Sequence, residues 1–412
     1  MADIRPFAAY RPRPELAVRV ASPPYDVVSS AEAAALAEGN PYSFLHVARP
    51  EIDLPAGVDE HDEAVYIKGR ENLEAFIAEG TLRQDAAPRL YVYAQTMGSH
   101  HQVGLVACAS VADYEADIIK KHEKTRADKE DDRTKHIDVL SAHDEPVFLT
   151  YRAEPEIDAV VKGITQGEPA FDFTTQDGVA HRVWAADTEL SQQLAARFAA
   201  VPALYVADGH HRSAAAARVH KLRRGDGGEH GFFLAVIFPH NQMNIMAYNR
   251  VVRDPQGRSA AALLEELRKR FDIVATSELG REKGNEAMPS GPKKFGVYAG
   301  GAWYEASVRA GSFDASDPVA GLDCSICQDQ LLGPVFDVKD PRRDKHVDFV
   351  GGIRGQQELE RRVDSGEMSI AIHLYPTQML ELMAVSDAGL LMPPKSTWFE
   401  PKLRSGLFVH VF

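Results

Sequence analysis

The chain predicts an α+β fold of mixed sheets with hairpins and flanking helices. Strand-like and helix-like periodicities alternate irregularly along its length, and several strand pairs are joined by turns too short to hold a crossover helix. At 412 residues it also exceeds one ordinary core, so more than one domain is expected. Three regions suggest themselves: 1–150, 151–255 and 256–412.

In chain order, two proline-aromatic turns, "ASPPYDVVSS" (21–30) and "NPYSFLHVARPE" (40–51), flank the helical "AEAAALAEG". Residues 61–80 have an amphipathic helical pattern that stops at Gly80. The stretch 89–111 alternates on both sides of Gly98 and Ser99, the pattern of a hairpin. Segment 122–146 is strongly charged with little apolar content before Ile137, which composition alone reads as a solvated helix or a mobile segment. "VFLTYR" returns to strand. Helices are expected over 155–165 and 187–200, around a hairpin at "TTQDGVAHRVW". Farther on come the strands "GFFLAVIFPH" and "NIMAYNRVV", an amphipathic helix over 257–271, and the strands "DIVAT", "KKFGVYAG" and "WYEASVR". Residues 280–292 are loop-like, being rich in Gly, Pro and charge. The last third alternates helix and strand up to "LLMPPKSTWFEPKLRSGLFVHVF".

Composition narrows the function. A hydrophobic content of 44% and a charged content of 26% suit a folded globular protein. A net charge of −14 argues against a general nucleic-acid or anionic-membrane binder, and the partner expected is a small molecule. Three cysteines fit a reducing cytoplasm and no disulfide framework; Cys324 and Cys327 lack the second pair a structural zinc site needs and read as core thiols. No run approaches the ~20 apolar residues of a membrane span. His46, His100 and His101 read as ordinary hairpin or core histidines, and no HExxH is present.

The most informative stretch is "ALYVADGHHRSAAAARV" (203–219). A short apolar strand meets Asp-Gly, and an alanine-rich helix begins after it. Gly209 can take a positive φ there. The first N–H groups of the helix have no intrahelical partner and carry the positive end of its dipole, so the turn suits a phosphate or carboxylate. Gly209, His210, His211, Arg212 and Ser213 are the candidate grip. The plain alternative is a cap, but a cap needs one polar residue and this turn has five. Asp208 either orients an imidazole, binds magnesium, or simply makes an Asp-Gly turn. Asp26, after two prolines and Tyr25, is a fixed carboxylate suited to a general base, or an Asx-type turn. Lys395, Ser396 and Thr397 follow a Pro-Pro pair and read as a phosphate-binding turn without the glycine-rich lead of a Walker loop, or as a polar turn. Lys402, Arg404 and Ser405 are weaker candidates.

In order, "PPYDVVS", "HEKT", Asp132-Arg133, "DGHHR" and "MPPKSTWFEPKLRSGL" resemble the blocks of the domain-of-unknown-function 1015 family across nearly the whole chain. That family is similar to ParB/sulfiredoxin-like phosphotransferases, in which such a turn at a helix N-terminus grips nucleotide phosphates. It is similar in particular to free serine kinases, including members that use pyrophosphate. The resemblance therefore implies a ParB/sulfiredoxin-like core holding the strand-DGHHR-helix unit, and transfer of a phosphoryl group to a hydroxyl acceptor, with L-serine leading. It implies Mg²⁺ with pyrophosphate or ADP/ATP as donor, and Asp208 and Glu123 are the candidate metal ligands. It raises His122, Thr125 and Arg133 to phosphate-binding candidates, and Glu123 to first candidate for base ahead of Asp26. The rivals are a phosphatase using the same pocket and a non-catalytic nucleotide sensor.

Overall fold

The 89–111 alternation folds as a tight hairpin. Tyr91–Met97 pairs with His100–Ser110, with Met97 opposite His100 and Gly98 at φ +58 in the turn. This hairpin is the middle of a nine-stranded mixed sheet in the computed structural model, which describes residues 1–224, 228–281 and 284–412. From one edge the strands run Ile119–Lys120, Leu204–Asp208, Val147–Tyr151, Phe232–Pro239, His100–Ser110, Tyr91–Met97, Ala180–Ala185 and Phe171–Thr174, with Ile4–Arg5 added on His100–Ser110. Two pairings are parallel: Leu204–Asp208 with Ile119–Lys120, and Phe232–Pro239 with Val147–Tyr151.

The chain divides into two units, Met1–Met243 with Pro401–Phe412, and Asn244–Glu400. The divisions expected at 150/151 and 255/256 lie within these units. At the first, the Val147–Tyr151 strand pairs with both Leu204–Asp208 and Phe232–Pro239, so a cut there would sever a sheet.

In the first unit, helices Pro155–Ile164 and Thr188–Phe198 cover one sheet face, where Ile157, Leu194 and Phe198 join Leu149, Val206 and Ile237 in the core. Asp187 caps the second of these helices by accepting from Leu190 N–H. Helix Glu63–Ala78 and the short Leu45–Ala48 helix share a second cluster with Tyr25, Phe44 and Leu140.

The charged 122–146 segment departs from its compositional reading. It holds a helix, Ala127–Leu140, whose inner face buries Asp132, Arg133, Thr134, His136, Ile137 and Leu140. Ion pairs and one apolar seam bind it to helix His210–Leu222 and the Arg223 that follows it: Arg218 to Asp131 at 2.6 Å, Arg223 to Asp138 at 2.7 Å, and Ile137 against Ala215 and Val219. Composition averages over both faces of a helix and cannot see that one of them is covered.

The second unit is a six-stranded antiparallel sheet in the order Phe271–Ala275, Ala302–Val308, Lys294–Ala299, Ile370–Leu374, Tyr248–Val252 and Val347–Gly351. Helix Gly355–Asp364 packs Leu359 into its core beside Tyr298 and Trp303. Helix Ala260–Arg268 realises the amphipathic 257–271 pattern, with Ser259 as its cap. The expected loop at 280–292 includes residues 282–283, which lie outside the described residues. All three cysteines are buried free thiols. Both units mix strands and helices, so the fold class is α+β. No described helix is long and apolar enough to cross a membrane.

Candidate active site

Strand polarity assembles the site. Ile119–Lys120 and Leu204–Asp208 run parallel side by side, so the segments leaving their C-terminal ends, His122–Thr125 and Gly209–Arg212, emerge at one end of the sheet. Val147–Tyr151 runs antiparallel to Leu204–Asp208, with Phe148 opposite Asp208, so Asp144, Glu145 and Pro146 enter at that same end. C-terminal strand ends beside a helix N-terminus are a common place for ligands in open sheets.

The DGHHR turn has the expected local form. Gly209 sits at φ +95, and the helix starts at His210. A Cβ at this position would lie 3.1–3.3 Å from the Arg212 guanidinium, which folds back over the turn. Glycine is thus required twice, for its backbone angle and for that close approach. Ser213 N–H makes the first helical bond, to Gly209 carbonyl at 3.0 Å. The N–H groups of His210, His211 and Arg212 precede it at the positive helix end. Ser213 itself is fully buried, and its hydroxyl donates to the carbonyls of His210 (3.1 Å) and Gly209 (3.3 Å).

Asp208 is held on both oxygens. Oδ1 accepts from Gly209 N–H at 2.9 Å and Oδ2 from Lys402 at 2.8 Å. Burial pushes its carboxyl up, but the cations of Lys402 and Arg212 outweigh burial and keep it well below the usual carboxylate range. Lys402 was one of the weaker sequence candidates, yet it reaches the turn directly.

Two guanidinium groups are buried here. Arg212 donates to Pro146 carbonyl at 2.6 Å, and its Nε–H has no acceptor among the described residues. Arg133 pairs with Asp132 at 2.8 Å and lies 3.9 Å over the Tyr25 ring, and its Nη1 has no acceptor among the described residues. Both line one small cavity together with His136, His143, Asp144 and Glu145. Burial opposes the charge of Arg212, but Asp26, Glu145 and Asp208 more than restore it. Burial raises the Glu145 carboxyl against the pull of Arg212. Glu145 also ties the region together, accepting from Tyr25 N–H at 2.9 Å and from the Ser405 hydroxyl at 2.8 Å.

The PPYD block joins this wall. Ser22 and Ser405 exchange backbone hydrogen bonds, which places the short Tyr25–Val27 helix beside Glu145. Asp26 is exposed, and its charge acts on Arg212, His211 and Tyr25. His211 Nε2 accepts from Arg126 N–H at 3.1 Å, tying the two loops. Thr125 spends its hydroxyl on Glu130. His122 and His210 meet edge to face with ring centroids 4.4 Å apart, both buried. Burial drives the His122 imidazole down to about 4; burial, with His122 next, puts His210 well below its ordinary value. One ligating atom from each of His122, Glu123 and His210 lies within 4.8 Å of the others.

Lys395, Ser396 and Thr397 belong to the second unit. There Lys395 is exposed with its ammonium 5.4 Å from the Tyr248 ring centroid, while Ser396 is buried, bonded to Pro393 carbonyl and 3.1 Å from Cys324 Sγ. Arg404, by contrast, lies in the first unit and directs its guanidinium to Asp177 and Thr175. His46 pairs with Asp53 and His101 with Thr96.

Glu145, Pro146 and Tyr25 were not singled out from the sequence. The available signal was "HDEP" directly before a strand, two acids placed where an apolar run begins.

The profile described as "Protein of unknown function (DUF1015)" matches residues 4–325. The chain belongs to that family. No curated protein matches this DUF1015 chain. Among solved structures, it is similar to a conserved hypothetical protein from Pyrococcus furiosus, at 14% identity and TM-score 0.35, covering 72% of this chain and 93% of that one. It is similar to a free serine kinase in complex with AMP, at 12% identity and TM-score 0.33, covering 69% and 84%. A third is SbnI with C-terminal truncation from Staphylococcus aureus, at 12% and 0.37, covering 74% and 87%. Each is a loose likeness of build, and the chemistry proposed below is read from the side chains.

Proposed function

We propose that this DUF1015 chain is a ParB-like small-molecule kinase of the cytoplasm, which moves a phosphoryl group from pyrophosphate or a nucleotide to a hydroxyl acceptor, with free L-serine first. The observation that carries the reading is the pair of buried guanidinium groups, Arg133 and Arg212. Each has one nitrogen without an acceptor among the described residues, and both line one cavity beside an open helix N-terminus. Buried donors left without acceptors cost about 1–3 kcal/mol each, and an oxygen of a bound anion would satisfy them. Phosphoryl transfer asks for that: cations placed around the transferring group, and a carboxylate near the acceptor.

Asp26 takes the base role in this reading. It is exposed to an incoming hydroxyl while its charge reaches Arg212. It removes the hydroxyl proton, the acceptor oxygen bonds to phosphorus, and the phosphorus–oxygen bond to the leaving phosphate breaks. Glu123, the first sequence candidate for base, lies with His122 and His210. Magnesium favours oxygen donors. Asp208 has both oxygens engaged, and the group of three candidate ligating side chains among the described residues contains two imidazoles. These residues do not form a magnesium cage, and no step here runs through that ion.

Phosphorus NMR of a donor-by-acceptor matrix tests the reading, with pyrophosphate, ADP and ATP against hydroxylated amino acids and sugars. A new phosphomonoester resonance, with serine first, is expected. Orthophosphate release with no phosphorylated acceptor would make the pocket hydrolytic; donor binding without turnover would make it a sensor. Asp26→Asn should slow the transfer ~10²–10⁴-fold and leave pyrophosphate affinity nearly unchanged.

A further inference from the structure

We propose that His122, Glu123 and His210 form a site for a divalent transition ion, with zinc and manganese the leading ions. This stands on the geometry of three side chains and not on the phosphoryl-transfer reading. The two histidines come from adjacent parallel strands: His122 follows Ile119–Lys120, and His210 follows Leu204–Asp208 across a single glycine. One ligating atom of each of the three residues lies within 4.8 Å of the others. Ligands about 2.1 Å from a common ion stand roughly 3–3.5 Å apart, so small side-chain rotations would close the set.

The independent observation is His122. It is 1% exposed, and neither ring nitrogen makes a hydrogen bond of acceptable geometry to the described protein. The carbonyl of Val206 acts on the ring without meeting that geometry. A buried imidazole with neither nitrogen well hydrogen-bonded is costly unless something absent from the protein chain completes it. His210 does not relieve the ring: its Nε2 accepts from the His122 backbone N–H, at 3.5 Å, the limit of a hydrogen bond, and not from the imidazole.

The donor set selects the ion. Two imidazoles and one carboxylate suit zinc, manganese or iron, whereas magnesium and calcium prefer all-oxygen surroundings. Three protein ligands leave coordination positions open for water or for an anion's oxygen. His210 is the first residue of the helix whose N–H groups form the candidate anion turn, so an ion on it borders any phosphate held there.

The test uses the full chain, stripped with chelator and dialysed against Zn²⁺, Mn²⁺ or Mg²⁺. Elemental analysis and calorimetry should give about one Zn²⁺ or Mn²⁺ per chain, with Mg²⁺ at least ~100-fold weaker. Anomalous diffraction from a zinc-soaked crystal locates the ion without any substitution, and the peak should lie ~2–2.2 Å from atoms of His122, Glu123 and His210. Glu123→Gln and His122→Asn should each weaken binding at least ~10-fold. A stoichiometric peak elsewhere, or no stoichiometric transition-ion binding, overturns the proposal even if magnesium-supported phosphoryl transfer is found. Zinc at these three residues with no transfer in any donor–acceptor pair upholds it and sinks the kinase reading.

Discussion

Arg212 is gripped by the Pro146 carbonyl, folded over the Gly209 backbone, and surrounded by the charges of Asp26, Glu145 and Asp208. Its position follows from the helix: three residues past the glycine, the side chain turns back over the first turn and faces the strand ends. An exposed arginine would lose little by truncation, but this one is buried with one donor unmet. Arg212→Ala should therefore lower pyrophosphate affinity by about 1.5–3 kcal/mol, the range for charged hydrogen bonds. Calorimetric titration reads the loss, and an unchanged affinity would place the anion elsewhere. Gly209→Ala forces a side chain into a positive φ and against that guanidinium. It should destabilise the first unit by about 1–3 kcal/mol in denaturant unfolding.

The charged Ala127–Leu140 helix and the hairpin Phe171–Thr174 with Ala180–Ala185 show how elements carry buried charge and imidazole together. His136 pairs with Asp144 at 2.9 Å on the inner face of that helix. Beyond it His143 is buried and stacks on His410, while His181, within the hairpin, stacks on Tyr93. Burial, then the neighbouring His410, holds the His143 imidazole down to about 3; burial, then Arg404, does the same for His181. In the unfolded chain both titrate near ~6.5. Below that pH the unfolded state takes protons that the folded state refuses. The stability these residues lend is complete above pH ~6.5 and drains away as pH falls toward 3. A melting series from pH 7.5 to 4.5 should show a continuous decline through this window, and a flat profile would show that the two imidazoles are hydrated in the fold.

Across the whole molecule, the second unit is an insertion into the first, since the chain leaves at Met243 and returns at Pro401. Both crossing points are fastened to one hairpin of the first unit. Gln242 accepts from Val103 N–H at 2.8 Å, Gln95 donates to the Lys402 carbonyl at 2.9 Å, and Gln102 donates to Gln95 at 2.9 Å. A short flexible linker in place of residues 244–400 can therefore close the first unit without moving its sheet. The expected product unfolds cooperatively and still binds pyrophosphate, because Asp208, Arg212, Arg133, Glu145 and Lys402 all lie in the first unit. A product that folds but has lost the anion would assign part of the grip to the second unit. Removing residues 401–412 should instead unfold the first unit, since Leu403, Leu407, Phe408 and Val409 are all buried in it.

Local chemistry in the sequence determined much of this. Alternation on both sides of a Gly-Ser pair is enough for the 91–110 hairpin, and the alanine run is enough for a helix from Ser213, which the structure begins three residues earlier at His210, because both depend on neighbours a few residues apart. The candidates at 208–212 were legible for the same reason, as polar residues where a periodic pattern breaks, whereas those at 122–125 lie in a stretch whose composition reads as a solvated helix and stood out only through the family resemblance. Tertiary structure decided what lies far apart in the chain. Only the parallel pairing of Ile119–Lys120 with Leu204–Asp208 brings His122 beside His210. Only the return of the chain at 401 sets Lys402 on Asp208 and Ser405 on Glu145. The same distance effect placed Lys395–Thr397 in the second unit while Lys402, a few residues later, serves the first. Periodicity reports which face of an element is buried, but strand order and register report what it is buried against, and the site is made of the latter.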